Sequence, residues 1–365
     1  MRIASYFVRR LATALFTLLV LITLTFIVYW ATPGTPATFL YDPNHLGAYQ
    51  LQHANHLLGL DRPKIVQYLS YLWHLAHGDL GKQWTGAQIA IDNNHLRQTS
   101  VSAAIMPQLW RTLSIILGGA VLVVLLAVPL GTYTGTRVGS VGDRLVSWST
   151  LVGICTHPLV LGSLLVTYLG ARHLNWFPSG NYCSLRAVHG LPPPSYGGFP
   201  PPLCSGFHQW ALHLILPWVT FALLFLALYT RMIRASVADT IHEDFVRTAR
   251  AKGAREARVL RSHVLPSASL RVLTMVGMEI GTAIGVCIYI ETAFGIYGLG
   301  SEAVRAFGGA SQGIDLPVLL GIVTLITLIV VIGNLIVDTL YAVLDPRAGR
   351  ETARGRTKSL VGGVF

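Results

Sequence analysis

Residues 239–253 hold the most concentrated charge pattern of the chain, Asp-Thr-Ile-His-Glu-Asp-Phe-Val-Arg-Thr-Ala-Arg-Ala-Lys-Gly. Thr240 followed three residues later by Glu243 has the spacing of a capping box at a helix start. The apolar residues recur at helical spacing, so they would share one face, with basic side chains covering the rest. Gly253 suits the left-handed residue that ends a helix. An amphipathic helix of this kind predicts contact with another surface rather than bond-making chemistry.

A second short helix is expected from Ala254 to about His263, with Pro266 ending it. This stretch therefore predicts two short helices, each with one apolar and one charged side. Two interpretations remain open for them. They could rest on anionic lipid as interfacial helices, or they could dock into a protein partner.

Glu279 is the acidic residue placed most deeply within an apolar run. A carboxylate at that depth is costly in hydrocarbon, so it normally faces a cavity or a partner. It could line a pathway, where it would meet a cationic group, or pair within a helix bundle, or lie at a span edge. Glu291 and Asp338 lie nearer the ends of their runs, where a solvated or helix-capping role is expected.

Motifs for covalent chemistry and nucleotide binding do not occur in the sequence. There is no Gly-x-Ser-x-Gly nucleophile motif and no Gly-x-x-x-x-Gly-Lys-Ser/Thr phosphate loop, so we expect neither a hydrolase nor an ATPase. The pairs His53/His56 and His74/His77 have the spacing of metal ligands on one helical face. No carboxylate or cysteine completes either pair convincingly, so we predict a solvated face and no metal site.

Composition determines which elements must position these residues. Hydrophobic residues make up 52% of the 365 residues and charged residues only 12%, whereas soluble domains carry roughly 25% charged residues. Six apolar runs are long enough to cross a bilayer as helices. They cover residues 11–31, 109–133, 145–170, 210–232, 272–292 and 316–342. We predict an all-α, polytopic membrane protein with about six transmembrane helices.

The first run and the basic residues define the orientation. Residues 11–31 carry no charge and would span about 30 Å as a helix, longer than the apolar part of a cleaved signal peptide. Basic residues cluster before run one, between runs two and three, between runs four and five, and after run six. The positive-inside rule therefore predicts that both termini are cytoplasmic. This pattern accounts for the net charge of +11, and no aromatic-interleaved basic patch indicates nucleic-acid binding.

The four cysteines fall into two pairs by location. Cys155 and Cys287 lie within apolar runs and are expected to behave as small buried hydrophobes. Cys183 and Cys204 both lie in the outward loop 171–209, where a disulfide can persist. We predict that these two form a disulfide; the alternative is two free thiols.

The spacing of small residues in segment 247–266 follows a known pattern. Arg247-Thr248-Ala249 is followed after three residues by Gly253, and after nine more by His-Val-Leu-Pro266. This resembles the cytoplasmic loop of permease subunits of ATP-binding-cassette (ABC) importers, Glu-Ala-Ala, three residues, Gly, nine residues, Ile-x-Leu-Pro. Arg247 and His263 depart from the usual Glu and Ile. The form Asp-Phe-Val-Arg-Thr-Ala-Arg-Ala-Lys-Gly is similar to the dipeptide/oligopeptide branch.

Three further stretches resemble the same branch in the expected order: 58–63 with 78–81, 291–294 with 298–300, and 338–347. The long cysteine-bearing loop 183–208 and the basic tail after Arg347 depart from it. The resemblance implies the fold of a type I ABC importer permease. It implies an N-terminal helix with an extracytoplasmic segment (1–108), a transmembrane domain (109–345) with a cytoplasmic coupling loop (233–268), and a cytoplasmic tail (346–365).

The resemblance also implies an assembly. ATP and Mg²⁺ would be bound by separate ATPase subunits, with no cofactor on this chain. A second permease subunit, an extracytoplasmic solute-binding protein and membrane lipid would be the other partners. The residues assigned to ATPase coupling are Glu243, Asp244, Phe245, Arg247, Thr248, Ala249, Arg250, Lys252, Gly253, Leu265 and Pro266.

The function implied is import of di- or oligopeptides across the cytoplasmic membrane of a prokaryote by alternating access, with Glu279 on the pathway. Two alternatives stay open. One is an ATP-independent secondary transporter, which would often show inverted repeats and broken helices. The other, within the ABC class, is an importer of nickel or another small solute. Mutation of the coupling loop should abolish uptake by an ABC importer and spare it in a secondary transporter.

Overall fold

The computed structural model describes residues 2–31, 52, 55–56, 59–84, 88–90, 95–97, 99–170, 174, 176–178, 180, 182–185, 203–307 and 314–344. This part of the chain is helical except for one two-stranded antiparallel sheet, β1 (Gln88–Ala90) and β2 (His95–Arg97). The helices are α1 (Arg2–Ala31), α2 (Lys64–Ala76), α3 (Val101–Thr136), α4 (Val141–Cys155), α5 (Pro158–Leu169), α6 (Phe207–Thr240), α7 (Asp244–Ala251), α8 (Glu256–Val259), α9 (Leu265–Phe294), α10 (Leu299–Ala306) and α11 (Leu316–Leu344). The predicted tail 346–365 lies outside the described residues.

Five helical stretches in the described part are long and apolar enough to cross a membrane, and α5 is a shorter apolar helix. They correspond to the predicted runs, with one difference. The run 145–170 is divided into α4 and α5 at Thr156 and His157, where Thr156 has an extended backbone. The division has a local cause, because the ring of Pro158 disfavours the helical conformation at the residue before it.

The chain divides into two compact units that are interleaved along the sequence. The first unit comprises Met1–Ser114, Val166–Ile215 and Cys287–Ile329. The second unit comprises Ile115–Leu165, Leu216–Val286 and Val330–Phe365.

The core of the first unit forms around α11. Ile22 and Phe26 of α1 pack with Leu316, Leu320 and the buried Trp84. A second apolar cluster comprises Leu80, Val101, Ile105, Leu299, Ala306, Val318, Leu319, Ile322 and Leu325. Asp315 joins the two, because its carboxylate accepts hydrogen bonds from the backbone N–H of Trp84 (2.9 Å) and of Val318 in the first turn of α11.

In the second unit, glycines allow α3 to approach α6 closely. A methyl group at Gly118 would overlap the ring of Trp218, and one at Gly119 would meet Phe221. Further along α3, Gly131 lies against Ile233 of α6, and Gly135 lies against Val237. Small residues spaced four apart are typical of tightly packed membrane helices, since they permit backbone-to-backbone contact.

Candidate functional site

The charged segment after α6 folds as two short helices, α7 and α8, joined by a turn at Gly253. Val246 and Ala249 of α7 are buried, as are Val259 and Val264. These small apolar side chains anchor the segment, whereas most of its other side chains are exposed. We call residues 244–264 the coupling segment.

Phe245 departs from the predicted pattern of the coupling segment. The periodicity placed it on the apolar face, yet it exposes 45% of its surface while the adjacent Val246 is buried. Its neighbours Asp244 and Arg247 are also exposed. An exposed aromatic ring among charged side chains is typical of residues that anchor a protein interface.

The start of α7 differs from the predicted capping box. Thr240 is the last residue of α6, where its hydroxyl donates to the carbonyl of Ser236 (2.7 Å), and the N-cap position of α7 falls to Glu243 instead. Glu243 occupies the N-cap position through its backbone alone. The prediction was wrong because a threonine at the end of a long helix can bond to the preceding turn of that helix instead.

The end of α7 follows the prediction. Gly253 has φ +80°, the left-handed conformation that favours glycine. The N–H of Ala254 donates to the carbonyl of Ala249 (3.2 Å), and the N–H of Gly253 to that of Arg250 (2.9 Å). These bonds satisfy carbonyls that the helix end would otherwise leave unpaired.

An ion pair crosses this turn. The guanidinium of Arg250 donates two hydrogen bonds to the carboxylate of Glu256, at 2.7 and 3.1 Å. This bidentate contact raises the pKa of Arg250 above its ordinary value. Both side chains are exposed, so the pair contributes little to stability and mainly fixes the angle between α7 and α8. Glu256 is not predictable as the partner of Arg250 from the sequence, because a separation of six residues matches no helical spacing.

Two further ion pairs tie α6, the helix that precedes the coupling segment, to two other helices. Arg234 of α6 donates to both carboxylate oxygens of Asp143 in α4, at 2.5 and 2.7 Å. The Arg234 guanidinium holds the pKa of the buried Asp143 below its usual range. Arg271 of α9 donates to Asp239 of α6 at 2.6 Å. The coupling segment is therefore attached to helices that are themselves tied together.

Pro266 does not end a helix, contrary to the prediction. Residues Leu260–Val264 form a π-helical turn that leads directly into α9, and Pro266 is the second residue of that helix. A proline ring clashes with the carbonyl four residues earlier in a regular α-helix, and a locally wider turn removes this clash. The segment before Pro266 is thus continuous with a membrane-spanning helix.

Glu279 lies in α9 and is half-buried. Within the described residues it has no hydrogen bond or ion pair, and Tyr229 of α6 is close enough to interact with its charge. The adjacent Met278 is largely exposed. Structural pairing within the bundle, one of the two leading interpretations, therefore has no observed partner in this part of the chain.

Glu291, at the end of α9, is fully buried rather than solvated. Its carboxylate accepts hydrogen bonds from the Thr112 hydroxyl (2.5 Å), the Ser301 N–H (2.9 Å) and the Ser301 hydroxyl (3.2 Å). Ser301 lies in the first turn of α10, so Glu291 caps that helix. A carboxylate with this many donors is satisfied in place, which indicates a structural role.

The glycines that follow Glu291 make this cap possible. A methyl group at Gly298 would overlap the Glu291 carboxylate, and one at Gly300 would overlap the side chain of Ile288. Arg111 closes the same region by donating to the carbonyl of Tyr297 at 2.8 Å. The glycines at 298 and 300 are therefore explained by close packing in the turn between α9 and α10.

Comparison with known proteins identifies the family of this chain. The sequence model of the family described as binding-protein-dependent transport system inner membrane component matches residues 127–350. The model of the N-terminal component of the same systems matches residues 3–116. The chain belongs to this family. It is an ABC importer permease of the peptide/nickel group, as the loop pattern predicted.

The permease is similar to named peptide permeases over nearly its whole length. It is 32% identical to the oligopeptide transport system permease protein AppB of Bacillus subtilis, over 94% of this chain and 99% of the relative. It is 30% identical to the dipeptide transport system permease protein DppB of Escherichia coli, over 94% and 98%. The methionine ABC transporter MetNI, solved in inward-facing conformations, has a TM-score of 0.47 at 17% identity and covers 66% of this chain and 96% of that one.

The permease also carries the disulfide. Cys183 and Cys204 are bonded, with 5.3 Å between their Cα atoms, and Cys183 is buried. The N–H of Cys204 donates to the carbonyl of Ser184 (3.0 Å), which adds a backbone link beside the bond. Cys287 is a free, buried thiol. Most of the loop between the bonded cysteines lies outside the described residues.

Proposed function

We propose that this permease forms one half of the translocation pathway of an ATP-driven importer for peptides. The exposed coupling segment carries the proposal, because an aromatic anchor and several cations project from helices that ion pairs tie together. A rigid, solvent-facing element of this kind can pass the movement of a bound partner on to the helices to which it is attached. The oligopeptide and dipeptide permeases among the relatives support a peptide substrate.

The partner at this surface would be an ATPase subunit that binds ATP and Mg²⁺. Phe245 would enter an apolar recess of that subunit, with Arg247 and Lys252 meeting acidic groups at its rim. The role assigned to the remaining coupling residues is to hold this geometry: Glu243, Asp244, Thr248, Ala249, Arg250, Gly253, Leu265 and Pro266. Closure of an ATPase pair would move the segment and rock the attached helices, which is alternating access.

Membership of the family supports the rest of the proposed assembly. A solute-binding protein would deliver the peptide from outside, and a second permease subunit, expected to be a different chain, would complete the pathway. Both termini would be cytoplasmic, since basic residues cluster on that side. Glu279 would line the pathway, where its carboxylate would attract the amino group of a peptide.

Co-purification tests the coupling role. The tagged permease is isolated in mild detergent from its native host, and the accompanying proteins are identified by mass spectrometry. Phe245→Ala and Arg247→Glu should lose a phosphate-loop ATPase, while peptide uptake falls and permease abundance stays constant. Arg137→Glu is the matched control, because it reverses an exposed charge in the turn between α3 and α4, outside the coupling segment.

Two outcomes would argue against the proposal. Recovery of the ATPase at unchanged yield with both coupling-segment variants would place the contact elsewhere. Isolation of the permease alone, with uptake unaffected by either variant, would favour an ATP-independent carrier, and a coupling ion would then be sought.

A further inference from the structure

Helix α2 lies in the segment that the sequence assigns to water outside the membrane, yet it is apolar on two sides. One side carries Tyr68, Leu72 and Leu75, which pack against the cluster that contains Ile22 and Leu320. This contact accounts for about half of the apolar residues of α2. The other half are exposed in the described structure, where the ring of Trp73 lies beside that of His77, just after α2, with 4.6 Å between the ring centroids.

The opposite side of α2 is a stripe of exposed apolar residues. Ile65, Leu69 and Trp73 recur at intervals of four, so they lie on one face. They expose 73%, 56% and 67% of their surfaces, and Val66 beside them is also exposed. A helix in water normally presents polar residues on its outer face, so this stripe calls for an apolar environment.

The packed side of α2 shows the depth at which the helix lies. The Tyr68 hydroxyl is 2.6 Å from the hydroxyl of Thr23, and its ring packs edge-on against Phe26. Thr23 lies eight residues before the end of α1 at Ala31, about 12 Å inside that end along the helix axis. A tyrosine that bonds there must start from a backbone close to the membrane boundary.

Two more contacts agree with that depth. The Lys64 ammonium lies 4.6 Å from the ring centroid of Trp30, the last residue but one of α1. Tryptophan and lysine together are typical of the headgroup region. The Tyr71 hydroxyl approaches that of Thr324, eight residues inside the start of α11, at 3.5 Å. The packed side of α2 is therefore in contact with two spanning helices, α1 and α11.

We propose that α2 is an interfacial helix seated in the membrane leaflet at which α1 ends, with Ile65, Leu69 and Trp73 in the acyl region of phospholipid. The occupant of the apolar stripe is lipid because α2 is held at the depth of the spans, where the exposed apolar surface of α1 already faces lipid.

Photo-crosslinking in the membrane tests this placement. Benzoylphenylalanine is introduced singly at Ile65, Leu69 and Trp73 of the full chain, and cell membranes are irradiated. Mass spectrometry should find phospholipid adducts at all three positions. Leu125 of α3 is the positive control, since it is an exposed apolar residue in a membrane-spanning helix. Asp61, an exposed carboxylate ahead of α2, is the negative control and should give several-fold fewer lipid adducts.

Three results would overturn the inference. Protein adducts at the stripe, whether to a second copy of the chain or to another permease, would show a protein interface instead. Absence of lipid adducts at the stripe while Leu125 yields them would place the stripe outside lipid. Equal lipid labelling at Asp61 and at the stripe would show that the labelling does not depend on the helix face.

Discussion

At the scale of single residues, backbone conformation decides which side chain position 253 can carry, and donors from distant parts of the chain decide the environment of Glu291. Gly253 was predicted as a left-handed helix end and has that conformation. Phe245 was predicted on the apolar face of α7 but is exposed, whereas the adjacent Val246 is buried. Periodicity locates the buried face of a short helix only to within about one residue. Glu291 was expected to be solvated or capping, and its burial could not be foreseen, since its donors Thr112 and Ser301 come from distant parts of the sequence.

Glu279→Gln should reduce peptide uptake while leaving the amount of permease in the membrane unchanged. The amide has the shape of the carboxylate but lacks the charge that would attract an ammonium group, and no hydrogen bond or ion pair within the described residues depends on that charge. Uptake of labelled peptide in cells, normalised to membrane abundance by immunoblot, measures the effect. Normal uptake would remove Glu279 from the pathway.

At the scale of elements, proline had opposite consequences at two positions. Pro158 separates α4 from α5, whereas Pro266 is accommodated through the π-helical turn Leu260–Val264. Helix propensity alone treats both residues as breaks. The difference arises from whether the backbone before the proline can widen while it stays packed, and Val264 is fully buried at that point. Such packing is not readable from a local sequence window.

Gly253→Ala should weaken the coupling segment without affecting the rest of the fold. A methyl group at Gly253 meets no other atom, so the cost is the left-handed backbone conformation alone, about 1–2 kcal/mol. Proteolysis between α7 and α8 should become faster, and peptide uptake should fall.

Gly139→Ala is the control for Gly253→Ala. Gly139 has φ +83° and equally open surroundings, so the strain is the same, but it lies between α3 and α4. Uptake by this variant should match the wild type. If both variants lose uptake equally, the effect reflects general destabilisation rather than coupling.

Asp143→Asn should lower the free energy of unfolding of the purified permease by about 2–4 kcal/mol, because it leaves the Arg234 guanidinium without its anionic partner. The folded-state pKa of Asp143 is depressed by that guanidinium. The stabilisation is therefore complete above the ordinary aspartate pKa and is lost as pH falls through the lower folded value.

The pH dependence of this variant supplies its check. The difference in melting temperature between wild type and Asp143→Asn should be constant from neutral pH down to about 5 and should narrow below about 4. A difference that already changes between pH 8 and 6 would indicate that another group is responsible.

At the scale of the whole molecule, the membrane-protein class and the approximate spans followed directly from the sequence, since a bilayer demands long apolar helices. The family was identifiable from the spacing of one loop. The division into two interleaved units was not, because each unit combines segments more than a hundred residues apart, such as Met1–Ser114 with Cys287–Ile329. Pairings at that separation leave no periodic signal in a single sequence.

The Cys183–Cys204 bond allows the orientation of the whole chain to be measured. Intact cells are treated with a membrane-impermeant reductant and then with an impermeant maleimide. Both cysteines should be labelled only when the reductant is included, and Cys287 should stay unlabelled because it is buried. If labelling required permeabilised cells, the loop would be cytoplasmic and the proposed orientation would be reversed.

The glycines that let α3 and α6 touch also bear on how this sequence can change over generations. Gly131 and Gly135 have no room for a single added carbon, so nearly every substitution there would push the two helices apart. Val121 and Leu125 on the same helix are exposed, and one apolar residue can replace another at little cost. One helix therefore contains positions that are almost fixed beside positions that are free to drift, according to whether they face protein or lipid.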